Sequence, residues 1–141
     1  MFQLGKGKIT EIHINCGEMI NSINMKYGDT WGEKHGGDGG SPCLSAAIKG
    51  EMINEVVVNY GKGVNSKFVT IFKLSFKTNK GNYYNGHGTL TQHSDIARAP
   101  SEQCYLSHIS GTAYTNVLTS IGFTWRCDEG DHISISSICY E

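Results

Sequence analysis

The chain has 141 residues, a formal net charge of −1 and a pI near 6.6, the size of one domain that can bury a core without depending on disulfides. Its balanced charge argues against a dedicated nucleic-acid binder, which carries a basic excess. No segment is apolar over a membrane-spanning length, and Met1-Phe2-Gln3-Leu4-Gly5-Lys6 lacks the apolar run of a leader peptide.

The elements follow a period of two. Thr10, Ile12, Ile14 and Cys16 fall on one face of a strand, with Glu11, His13 and Asn15 on the other. Met19, Ile23, Met25 and Tyr27 predict a second strand, and Met52, Val56, Val58 and Tyr60 a third. The clearest strand is Phe68, Thr70, Phe72, Leu74, Phe76, with Lys73, Ser75 and Lys77 outward. Val117 to Trp125 and His132 to Ile138 predict two more. Polar or glycine-rich punctuation separates these runs: Gly36-Gly37-Asp38-Gly39-Gly40, residues 61–66, and Asn79-Lys80-Gly81-Asn82, which reads as a hairpin turn. No segment sustains a helical period, so the expected class is all-β, built of short antiparallel strands.

One phrase occurs twice. Gly17-Glu18-Met19-Ile20-Asn21 recurs 33 residues later as Gly50-Glu51-Met52-Ile53-Asn54, and each copy is followed by Tyr-Gly at the same spacing, Tyr27-Gly28 and Tyr60-Gly61. Repeats usually mark one supersecondary unit used again. Equivalent strands of two similar β units are therefore expected to carry the phrase, with function on the loops between units. Five cysteines leave at least one unpaired within the chain. Cys16, on an apolar strand face, reads as core. Cys104 and Cys127 flank the last strands and can pair in an oxidising compartment, and Cys139 suits an intermolecular bond.

Gly7-Lys8-Ile9-Thr10-Glu11-Ile12, Ile20-Asn21-Ser22-Ile23, Tyr27-Gly28, Gly36-Gly37-Asp38-Gly39-Gly40, Gly50-Glu51, Phe76-Lys77-Thr78-Asn79-Lys80-Gly81 and Ser120-Ile121-Gly122-Phe123 follow the order found in jacalin-related lectins. Over residues 5–126 the chain resembles that family. The resemblance is greatest to the animal branch, which includes zymogen granule protein 16 and the lectin modules of fish aerolysin-like proteins. It implies a β-prism of three four-stranded Greek-key sheets with pseudo-threefold symmetry. It also implies non-catalytic binding of mannose/glucose- or galactose-type glycans by loops at one end of the prism, with no metal and no cofactor.

The family's main site joins an N-terminal glycine loop to a Gly-x-x-x-Asp turn between the last two strands. Glycine lets backbone N–H groups approach the sugar, and the carboxylate accepts charge-assisted bonds from neighbouring hydroxyls. This chain departs at both parts. It starts a few residues before Gly5, so the loop is expected to be missing. Thr119, aligned on Ser120-Ile121-Gly122, or Thr115, counted from Gly111, stands where the Asp belongs. Two features are expected to compensate. The extension 126–141 offers a strand for the place of the missing first one, in its own chain or a partner's, since an open sheet edge is a hazard. The glycine loop at 36–40, with Gly61-Lys62-Gly63-Val64-Asn65 as a Gly-x-x-x-Asn variant, offers a pseudo-symmetric site whose acceptors are Asp38 and Asn65.

Candidate ligand-binding residues are thus Gly36, Gly37, Asp38, Asn65, Gly111, Tyr114, Asn116 and Thr119, with Tyr114 and Trp31 as rings able to stack on a sugar. The plainer readings are a simple turn at 36–40 and ordinary surface rings. The six histidines, His13, His35, His87, His93, His108 and His132, show no metal-ligand spacing. Nothing in the sequence pairs a cysteine with a base and an orienting carboxylate, so no enzyme is expected. The surface lysines suit a sulfated-glycan patch or, more simply, a solvated face. The expected molecule is one jacalin-like lectin domain over 1–141 that binds glycans or glycoproteins. Nucleic-acid binding and membrane insertion are not expected. A secreted or extracellular location is expected, as is a homodimer or higher oligomer to supply avidity. The alternative is a jacalin-fold protein-interaction or structural module that has lost sugar binding.

Overall fold

A computed structural model describes residues 8–62, 69–87, 93–114, 117–127 and 133–139, with only the backbone described at His87, Tyr114 and 133–139. These residues form twelve strands: β1 (Ile9–Cys16), β2 (Ile20–Tyr27), β3 (Thr30–Trp31), β4 (His35–Gly36), β5 (Ser41–Ala47), β6 (Ile53–Lys62), β7 (Val69–Thr78), β8 (Tyr83–His87), β9 (His93–Arg98), β10 (Cys104–Tyr114), β11 (Val117–Cys127) and β12 (Ile133–Cys139). Among the described residues there are three sheets, and every pairing is antiparallel.

The first sheet runs β3-β2-β1-β5, with β4 also on β2, and the second runs β8-β7-β6-β9. Each places its last strand beside its first, the Greek-key order. The third runs β10-β11-β12, and β12 pairs along β11 of the same chain from Arg126–Ile133 to Ser120–Cys139. The edge strand of the first sheet, β5, carries Pro42, which an edge tolerates because its missing N–H removes no inner ladder bond.

The alternating residues meet in one interior. Ile12 and Ile14 of β1, Ile20, Ile23 and Met25 of β2, Val56 and Val58 of β6, Leu74 and Phe76 of β7, and Leu118, Ile121, Phe123 and Trp125 of β11 are all buried in a single cluster. The second strands of the three sheets, β2, β7 and β11, touch one another across it. Burying a large aliphatic or aromatic side chain stabilises by about 1.5–3 kcal/mol, so each sheet face is held by the other two.

The repeated phrase does not mark equivalent strands. Its first copy makes the β1–β2 turn and enters β2, the second strand of its Greek key, whereas its second copy leads into β6, the first strand of the next. What the copies share is local: a glycine before the strand and an isoleucine that starts it in the core, Ile20 at 0 % and Ile53 at 2 % exposure. The phrase is a strand-entry signal, while the structural repeat runs from β1 to β6 to β10.

The second copy also works as a clamp. Glu51 Oε1 accepts bonds from Thr78 Oγ1 (2.6 Å) and Asn82 Nδ2 (2.8 Å), and Oε2 accepts one from Tyr84 Oη (2.6 Å). Asn79 and Met52 exchange two further bonds, both 2.9 Å. The entry to β6 is thereby fastened to the β7–β8 hairpin. The donors, Thr78 first, hold the Glu51 carboxyl below its ordinary range. Two disulfides, Cys16–Cys43 and Cys104–Cys127, close separations of 27 and 23 residues. Cys16 is therefore not a free core thiol. Its side chain is buried, but it bridges β1 to β5, whose approach no local pattern reveals.

Glu51→Gln should lower the unfolding free energy at pH 7 by about 1 kcal/mol, the size of a hydrogen bond to a charged acceptor near a surface. A lowered folded-state value stabilises above the ordinary glutamate pKa and stops doing so as pH falls through the lowered one. Urea unfolding should therefore show the gap between variant and wild type closing as pH falls through that window. Replacing Cys104 and Cys127 together by serine should cost about 3 kcal/mol in the same measurement, as expected for a loop of this length.

Candidate functional site

The glycine run folds onto the start of β2. Gly36 pairs with Ser22, and Gly37 donates its N–H to the Asn21 carbonyl at 2.9 Å. Gly36 and Gly40 have φ of 125° and 81°. A Cβ on Gly36 would run into the Asn21 carbonyl oxygen, and one on Gly40 would stand 2.5 Å from Asn21 Oδ1. These glycines are needed because the loop wraps one residue closely in backbone geometry that other residues rarely adopt. Asn21 ends the first Gly-x-x-x-Asn phrase, Gly17 to Asn21, in the β1–β2 turn. Its Oδ1 is buried beneath the loop, and its backbone carbonyl, accepting the Gly37 N–H, ties the loop down.

Asp38 occupies the loop's outer tip. Its side chain is 96 % exposed and accepts a bond from Lys34 Nζ at 2.7 Å, and that ammonium holds the carboxyl below the usual range. The tip thus offers an ionised acceptor beside a donor, a pair suited to two neighbouring hydroxyls. Asn21 was missed by the sequence reading, although its Gly-x-x-x-Asn spacing was a readable signal.

Behind the loop, β4 packs on β10. His35 lies against the Ile109 backbone, and the Tyr27 hydroxyl accepts the Ile109 N–H at 3.3 Å, with the Tyr27 and His108 rings 5.6 Å apart. Burial pulls both imidazoles below their usual range. Glu33 opposes this at His35, and His35 itself adds repulsion at His108. Burial pushes the Tyr27 phenol up to about 12. This seam ties the root of the glycine loop to the third sheet.

The remaining candidates lie elsewhere. Gly111 is in β10, where a Cβ would meet the Ser120 carbonyl oxygen at 2.7 Å. Thr119 shares its hydroxyl with Thr112 Oγ1 (3.1 Å) and the Thr112 carbonyl (3.3 Å), and Thr112 Oγ1 also meets Ser120 Oγ at 2.6 Å. That end of the third sheet presents mutually satisfied hydroxyls, without a carboxylate among the described residues. Tyr114 closes the β10–β11 register against Val117. Its side chain, Asn65, Asn116 and Thr115 lie outside the described residues. Trp31, 41 % exposed, sits further along the first sheet against His13 (4.6 Å), under Lys26 Nζ (5.9 Å). Nearby, Glu11 and Ser45 both reach Nε2 of His13, at 2.6 and 3.2 Å. An acyl-transfer relay needs them on opposite ring nitrogens. Among the described residues no group of three His, Cys, Asp or Glu side chains could hold a metal ion.

A family model for the jacalin-like lectin domain matches residues 1–124. The chain belongs to that family. Among curated proteins no sequence relative is found. Among solved structures, a prostate-specific WGA16 glycoprotein lectin is similar at 27 % identity and a TM-score of 0.74, covering 86 % of this chain and 83 % of that one. Artocarpin, a lectin with mannose specificity, matches at 22 % identity and a TM-score of 0.72, covering 91 % of this chain and 84 % of the other. Jacalin in complex with T-antigen matches at 20 % and 0.64, covering 92 % and 91 %. The fold is the β-prism of these lectins, and the family is one of non-enzymatic carbohydrate binders.

Gly36→Ala should destabilise by about 3 kcal/mol, because strain and a backbone clash add, whereas Gly50→Ala should cost about 1 kcal/mol. Gly50 has a φ of 88° but nothing within 4 Å of an added Cβ. Equal losses in thermal and urea unfolding would show that close packing on Asn21 contributes nothing.

Proposed function

We propose that this jacalin-family protein is a lectin of the animal branch. It binds mannose/glucose- or galactose-type glycans at the loop end of the first sheet. The observation that carries this reading is the glycine loop anchored on Asn21 with an exposed, ionised Asp38 at its tip. Loop backbone N–H groups and Lys34 donate to sugar oxygens, Asp38 accepts from sugar hydroxyls, and Gly36 and Gly37 permit the approach. The identity to the prostate-specific WGA16 glycoprotein lectin supports the branch.

On this reading residues 1–141 are one lectin domain, and β12 serves as the strand that the family draws from its N-terminal end. Its pairing along β11, beyond the residues matched by the family model, supports that role. Two disulfides suit an oxidising, secreted or extracellular setting. Weak single sites suit a homodimer or higher oligomer acting on glycoproteins. A second reading, a protein-interaction module without sugar binding, draws on the hydroxyl cluster around Thr119, where the polar groups satisfy one another.

A glycan array with free monosaccharide as competitor separates the two. Competed binding that falls at least about tenfold in Asp38→Ala is expected, the equivalent of one charge-assisted hydrogen bond. Because Lys34 keeps the carboxyl ionised below its usual range, binding should persist on mild acidification and fall only below the ordinary aspartate value. A silent array with folded protein would favour the interaction module.

A further inference from the structure

The first sheet carries a second concentration of polar groups, at the end of β2 away from the glycine loop. Ala47, Glu11, Lys26 and Trp31 stand in one cross-strand row over β5, β1, β2 and β3. The ladder is irregular here. A register shift between Ile9 and Glu11 sets Thr10 out of step, and its hydroxyl donates to the Gly28 carbonyl at 2.7 Å. Gly28, with a φ of 61°, then turns the chain from β2 into β3 and leaves Asp29 at the tip. Such irregularities concentrate where a strand re-aims a side chain beside a site. A depression of about 400 Å³ opens between Thr10, Glu11, Lys26, Asp29, Ala47 and Lys49.

Two ammonium groups and two carboxylates border this depression without closing on one another. Glu11 and Lys26 are direct register partners, a position where opposite charges gain by pairing. Each is instead drawn aside by a ring. His13 Nε2 lies 2.6 Å from Glu11 Oε2, and Lys26 Nζ stands 5.9 Å over the Trp31 ring. Among the described residues Lys26, Asp29 and Lys49 enter no ion pair. Opposite charges held apart around one space leave their Coulomb attraction to a third body.

We infer that this depression binds a small zwitterion, a molecule with one ammonium and one carboxylate, as in a free amino acid or a short peptide. Lys26 and Lys49 donate to the ligand's carboxylate, Glu11 and Asp29 accept from its ammonium, and the small side chain of Ala47 leaves room beside Glu11. The lining charges sum to zero. A dipolar ligand is therefore matched, whereas a purely anionic or cationic one meets a like charge for every opposite one. The volume falls within the range of small-ligand sites. None of these residues belongs to the glycine loop, so the inference stands apart from the sugar reading.

The test is a nuclear magnetic resonance titration of the full, isotope-labelled chain at fixed pH and ionic strength. Glycine and triglycine are the zwitterions, and N-acetylglycine and glycinamide carry one charge each. The titration is repeated on Glu11→Gln, Lys26→Met and Lys49→Met, the last an exposed position that keeps the experiment decisive if a strand variant misfolds. Saturable shifts at Glu11, Lys26, Asp29 and Lys49 are expected with a zwitterion, while signals at 36–40 stay in place. Binding should be at least about fivefold weaker for the singly charged compounds and in each variant, the equivalent of one charged contact. A preference for glycine or for triglycine upholds the site and tells whether the two ligand charges are bound close together or apart. No saturable shift with either zwitterion, an equal response to a singly charged compound, or binding unchanged in both lysine variants would overturn the site and leave the lectin reading standing.

Discussion

The inner strands β1, β2, β6, β7 and β11 each have one apolar face, and a single sheet cannot cover its own. Three sheets facing inward can, and the burial of β2, β7 and β11 against one another is the contact on which everything else depends. It fixes the strands' faces, because slipping a strand by one residue would exchange its buried and exposed sets. It also leaves only the outer faces and the loops free to vary, and the proposed recognition is sought there.

Those loops are not equally prepared for it. Around the first sheet, glycines fold onto Asn21 and present Asp38 and Lys34 to solvent. At the third, Thr112, Thr119 and Ser120 spend their hydroxyls on one another. The difference is chemical as much as geometric. A carboxylate has acceptor capacity left after one ion pair, whereas three clustered hydroxyls largely satisfy themselves.

Polar and covalent ties, within the sheets and between them, add to the core packing. Glu51 gathers three donors to fasten the second sheet's entry strand to its hairpin. The Cys16–Cys43 bridge joins the first sheet's edge strand to its neighbour at the end that carries the glycine loop. The Tyr27, His35 and His108 seam connects the root of that loop to the third sheet. A loop that makes few apolar contacts of its own is steadied through these neighbours.

Period two along β1, β7 and β11 was legible because it records which side of a strand meets the core, and each residue carries that information by itself. The order of the short motifs was enough for the family, since it keeps the spacing between strands. The glycine run was legible as a closely packed loop because only close backbone approach calls for such a run. The Cys16–Cys43 pairing, the two-residue strands β3 and β4 on β2, and the different jobs of the two Gly-Glu-Met-Ile-Asn copies were not legible. Each depends on which distant strand lies alongside, a choice made by burial summed over three sheets. For the same reason the facing of Tyr60 and His93 depends on which strand lies beside β6. Sequence by itself determined the main core strands, their inward faces and the family; only the tertiary structure decided which edge strands, loops, rings and cysteines meet.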